Sequence, residues 1–169
     1  HREPSRTKMV NSKILHKWVI ALALVVVAGV LQNSLVTNFM SIKPNISLVV
    51  LITLAFFFKN ITTYLIPVIV AGFFLRFEPG LDWNIAVFTG IVLVVFWLSH
   101  KLPGQSLLNQ VFLVGSATWF FYLLADPQFL LRAPLTILSE MIYNLIVGLV
   151  IFTLSSYFFS YESKFRFTI

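Results

Sequence analysis

Apolar residues in this chain come in long, nearly unbroken runs separated by short polar punctuation, without the alternation of a half-buried strand or the stripe of a surface helix. Six runs stand out, at 18–36, 46–58, 61–77, 83–98, 107–124 and 135–159. A helix needs roughly 20 residues to cross about 30 Å of hydrocarbon, and most of these runs approach that length. The run 46–58 has only thirteen, so it is expected to cross with little tilt or to enter without crossing. Four or five crossings with a re-entrant second stretch is therefore the alternative to six. Lys59 and Asn60 alone separate it from the third run, which predicts a tight helical hairpin. Pro67 falls inside that third run, where its ring removes a helix hydrogen bond and favours a kink or an early end.

The punctuation is rich in turn formers: Lys43 and Pro44, then Arg76, Glu78, Pro79, Gly80 and Asp82, then His100, Lys101, Pro103 and Gly104, and finally Asp126, Pro127, Arg132 and Pro134. A basic start before an apolar run also describes a signal peptide. Here the run passes into Gln32, Asn33 and Ser34 with no small-x-small cleavage site, so an uncleaved first span is expected. The fold class that follows is all-α: a polytopic membrane protein of about six transmembrane helices. It divides into a basic segment at 1–17, one membrane domain at 18–159 and a polar tail at 160–169.

Composition strengthens that reading, since 59% of the 169 residues are hydrophobic and only 11% charged. A soluble domain so composed would expose large apolar patches. The formal net charge of +6 does not point to nucleic acid, because its basic residues cluster only at the N-terminus, in Arg2, Arg6, Lys8, Lys13 and Lys17. Counted by loop, nine Lys or Arg fall on the N-terminal side of the membrane and three on the other. This puts both ends and the even loops in the cytoplasm. With no cysteine, disulfides, thiolate nucleophiles and cysteine-ligated metals are excluded.

Glu140 is the one charged side chain well inside an apolar run. A charge at depth costs at least about 2.5 kcal/mol, so it must face protein, water or a ligand. Three roles compete: a structural hydrogen-bonding post, part of a partner-docking face, or a ligand or proton site. Tyr143 and Asn144 lie three and four residues on, and Gly148 four beyond that, so Glu140, Tyr143, Asn144 and Gly148 form one candidate polar face. Gln32, Asn33, Asn38, Asn109 and Gln110 also require partners if they lie at depth. Trp18, Trp83, Trp97 and Tyr122 fall near span ends, as an interfacial belt predicts. His16 and His100 sit beside Lys17 and Lys101 as interface anchors, and no metal-ligand or cofactor pattern is present. Serine-triad, HExxH and phosphate-loop patterns are absent too, so no enzyme activity is expected.

Leu31 and Gln32 at the end of the first run, Pro44 and Asn45 opening the second, and Gly72 with the loop to Gly80 together resemble the MreD family of bacterial rod-shape-determining membrane proteins. The closing Glu140, Tyr143 and Asn144 resemble that family's last helix. Many members carry an Asp after the third helix's glycines; this sequence has Arg76, with Glu78 and Asp82 nearby. The resemblance implies a non-enzymatic scaffold in the plasma membrane, in contact with lipids, partnered with a bitopic MreC-like protein and supporting the peptidoglycan synthase of cell elongation. It also implies a helical bundle like the substrate-binding S-components of energy-coupling-factor vitamin transporters. That class supplies the alternative function, in which Glu140, Asn144, Asn38, Lys43 and Asn45 would meet a small ligand. Docking to coupling helices would call for a small-xxx-small stripe in the first span, and Ala21, Val25 and Gly29 match it in part.

Overall fold

A computed structural model describes residues 5–34, 44–75, 83–103 and 106–160. Among them all regular structure is helical, in seven helices: α1 (Ser5–Asn33), α2 (Ile46–Ala55), α3 (Ile61–Leu75), α4 (Trp83–Ser99), α5 (Ser106–Ala125), α6 (Pro127–Arg132) and α7 (Pro134–Ser160). Two of them, α5 and α7, are long and apolar enough to cross a membrane, while α2, α3 and α4 are shorter apolar helices. Asn38, Lys43, Arg76, Glu78, Gly80 and Asp82, named above, lie outside the described residues.

The centre of the bundle is α2. Every one of its ten residues is buried, and it packs against α1, α3, α4, α5 and α7. At about 1.5 Å rise per residue it is some 15 Å long, half a bilayer core, so the short second run is an enclosed half-length helix. Its start is set by Asn45, whose side chain accepts from Leu48 N, satisfying one orphan N–H of the first turn. Its end turns through Phe56 and Phe57, whose N–H groups bond Thr53 O and Leu54 O. The expected hairpin into α3 follows. Tyr64, wholly buried on α3, donates to Leu51 O at 2.8 Å and stacks on Phe96 of α4 at 4.7 Å, tying three helices at that corner.

Three expectations need correction. Of the kink or early end expected at Pro67, the early end does not occur, because α3 continues through it to Leu75 with Pro67 buried. The 126–134 punctuation is not all loop. Asp126 accepts from Phe129 N at 3.0 Å and Pro127 occupies the first helical position, where its missing N–H costs nothing, and the short helix α6 results. The helix of the first run also begins earlier than expected, at Ser5, inside the basic segment.

The surface inverts the usual soluble arrangement. Large apolar side chains such as Phe73, Leu135, Ile146, Val150 and Phe158 are exposed, whereas Gln110, Thr118, Glu140 and Asn144 are among the most buried groups. In water each exposed Leu or Phe forgoes about 1.5–3 kcal/mol of burial.

Candidate functional site

The buried polar groups fall on two facing helices at one repeat. On α5, Gln110, Thr118 and Tyr122 share the row of every fourth residue; on α7, Glu140, Asn144 and Gly148 do the same. The helices pack antiparallel, so the rows pair in reverse order. Tyr122 donates its hydroxyl to Glu140. Asn144 donates from Nδ2 to Thr118 Oγ1 at 3.0 Å, and the Thr118 hydroxyl in turn donates to Val114 O at 2.9 Å. Gln110 donates from Nε2 to Gly148 O at 2.8 Å and to Thr53 Oγ1 on α2 at 3.2 Å. The result is a ladder of interhelical hydrogen bonds along the α5–α7 seam.

Gly148 leaves the room that this geometry uses. A Cβ there would lie 3.0 Å from Gln110 Nε2 and 3.4 Å from Val49 Cγ1, in the space the amide uses to reach the backbone. At Gly72, by contrast, an added Cβ would meet no atom within 4 Å, because this glycine sits on an open face of α3.

The ladder also holds the start of α2. Asn144 Oδ1 accepts from Asn45 N at 2.9 Å, and Gln32 Oε1 on α1 accepts from Ser47 N at 2.8 Å. With the Asn45 side chain on Leu48 N at 3.2 Å, three N–H groups at this buried helix start have protein partners. The knot therefore joins α1, α2, α5 and α7 through side-chain amides, each of which would be costly to bury alone.

No family model, curated protein or solved structure matches this chain.

Of the candidate face, Glu140, Asn144 and Gly148 come together in the ladder, while Tyr143 lies half-buried on its flank. Of the motif positions, Gln32 and Asn45 join the knot, Pro44 is buried beside it, Leu31 is exposed and Gly72 stands apart. The partners on α5 that sequence reasoning missed are Tyr122, taken for an interfacial residue, and Thr118; Thr53 on α2 was missed as well. The spacing of four between Thr118 and Tyr122, matching that of Glu140 and Asn144, was the available signal. Asn33 fastens α1 to α3 by donating to Phe74 O at 3.0 Å, whereas Asn109 acts locally, donating to Pro103 O at 3.3 Å. His100 bonds the carbonyls of Phe96 and Phe58, and Trp83 donates to Leu124 O at 3.0 Å.

Where the ladder ends at Glu140 there is a cavity of about 370 Å³. Its polar walls are Gln32, Asn45, Asn84, Tyr122, Asp126 and Glu140, and its apolar walls include Phe88 and Phe121. The opposite end of the ladder is closed. There Gln110 is 1% exposed and its Oε1 has no hydrogen-bond partner among the described residues.

Proposed function

We propose that this chain is a multi-pass protein of a bacterial plasma membrane, with about six crossings and both ends cytoplasmic. Its role is that of a non-enzymatic scaffold of the cell-elongation machinery, holding a bitopic MreC-like partner and supporting the peptidoglycan synthase. The membrane part rests chiefly on the inverted surface, since only 28% of the apolar window in each of α5 and α7 is buried inside the bundle. A core helix of a soluble protein hides most of such a window; lipid is the solvent that tolerates this one.

The scaffold part is supported by how the motif residues are used. Gln32 and Asn144 spend their side-chain amides on the start of α2 while Asn45 caps it, as fasteners of a rigid body do. Ala21, Val25 and Gly29 are buried within the chain, and a Cβ on Gly29 would meet Phe74 Cγ at 2.6 Å. Gly29 thus packs α1 on α3 and the rest of the stripe is buried inside the chain, which favours the scaffold reading over docking to a transporter's coupling helices. The cavity beside Glu140 favours the second reading, a small-solute-binding subunit of the energy-coupling-factor type. Co-purification separates the two. The chain is expressed in a bacterial membrane with tagged MreC or with the coupling ATPases, solubilised gently, and its retained partners are identified by mass spectrometry. Stable recovery with MreC is expected; recovery with the ATPases overturns the scaffold reading.

A further inference from the structure

We propose that the cavity at the Glu140 end of the ladder binds a small organic ammonium group, carried either on a free amine or on the headgroup of an aminolipid. Six parts of the chain converge there: Gln32 of α1, Asn45 before α2, Leu75 of α3, Asn84 and Phe88 of α4, Phe121 and Tyr122 of α5, and Glu140 of α7. At about 370 Å³ it lies in the range of small-molecule sites and is far larger than a bare ion needs. No group of three potential metal ligands exists among the described residues.

The lining selects charge and shape. Its described residues include two carboxyl groups, Asp126 and Glu140, which favour a cation over an anion. Gln32, Asn45 and Asn84 stand beside them; Gln32 Oε1 and Asn45 Oδ1 each accept one backbone N–H and keep a second lone pair that an N–H donor can use. Phe88, Phe121 and Tyr122 bring aromatic rings to the same walls, the environment in which ammonium groups gain cation–π attraction. Glu140 is 5% exposed and takes the Tyr122 hydroxyl, so its carboxyl is held in place rather than free to swing. Asp126 is anchored as the cap of α6 and sets the second carboxyl at the exposed rim.

This inference deepens the small-solute reading and is independent of the scaffold reading, since partner recovery and amine binding are measured separately. The full chain is placed in nanodiscs of phosphatidylglycerol and titrated with radiolabelled ethanolamine, against ethylene glycol as the neutral analogue and glycolate as the anionic one. A parallel set of discs contains phosphatidylethanolamine, and the lipid retained through detergent extraction is quantified. Saturable ethanolamine binding that neither analogue displaces identifies a free amine as the occupant. Enrichment of phosphatidylethanolamine over phosphatidylglycerol, with loss of the free label, identifies the lipid headgroup. In either case Asp126→Asn weakens binding roughly tenfold, and because Asn caps a helix as well as Asp, this variant folds even if Glu140→Gln does not. The proposal is overturned if neither free label nor aminolipid binds selectively, if ethylene glycol competes equally, or if Asp126→Asn binds as tightly as the parent.

Discussion

The two ends of the α5–α7 ladder both rest on an interhelical side-chain hydrogen bond and differ in their residues and in what surrounds them. At one end Gln110 meets Gly148 O and Thr53 under a tight seal of Val49 and Val114. At the other, Tyr122 meets Glu140 beside an open cavity. Polar groups in the sealed end act only as fasteners, so their loss is felt as stability. Groups at the open end retain unfilled space beside them, so their loss is felt first as changed binding. The glycine opposite Gln110 makes the first end close; the convergence of six chain segments leaves the second end open.

The sharpest way to break this contrast is to fill the sealed end. Gly148→Leu is expected to destabilise the bundle by about 3 kcal/mol or more, through overpacking against Val49 and displacement of Gln110, read as a lower unfolding midpoint in a mixed-micelle titration. Gly72→Leu, on the open face of α3, is its control and is expected to stay within about 0.5 kcal/mol of the parent. Gln110→Leu removes two bonds and leaves Thr53 facing an apolar side chain, for an expected loss of about 1–2 kcal/mol by the same titration. At the open end Tyr122→Phe is expected to cost about 0.6–1.5 kcal/mol. Glu140→Gln keeps an acceptor for Tyr122 and is expected to cost under about 1 kcal/mol, while binding of ethanolamine falls. An equal stability loss at both ends would erase the distinction.

Much of the fold was legible because long apolar runs and their punctuation constrain helix positions strongly. The runs 83–98, 107–124 and 135–159 lie within two residues of α4, α5 and α7 at every boundary. The stripe of Glu140, Asn144 and Gly148 was legible for a similar reason, since spacing by four is a property of one helix. Its partners were not, because nothing in the spacing of α7 says which other helix it faces. Tyr122 illustrates this: near a span end, a tyrosine serves an aqueous interface or an internal carboxylate equally well, and only the antiparallel pairing of α5 with α7 decides. Helix α6 was missed because two prolines and charged residues read as loop, although Asp126 and Pro127 also suit a helix start. The cavity belongs to six separate segments and leaves no local trace.

Polar groups turned inward and large apolar side chains turned outward are the arrangement observed, and the proposal that this surface faces lipid is the claim on which the rest depends. Because the chain has no cysteine, a single thiol reports its own surroundings without interference. Ile146, on the outer face of α7 and 55% exposed, is replaced by cysteine and compared with a cysteine at Lys59, in the exposed turn between α2 and α3. Both are treated with a membrane-impermeant maleimide in opened membrane vesicles. Lys59→Cys is expected to label, and Ile146→Cys to stay unlabelled until detergent denatures the protein. Rapid labelling of Ile146→Cys in intact membranes would place that face in water and contradict a lipid-facing α7.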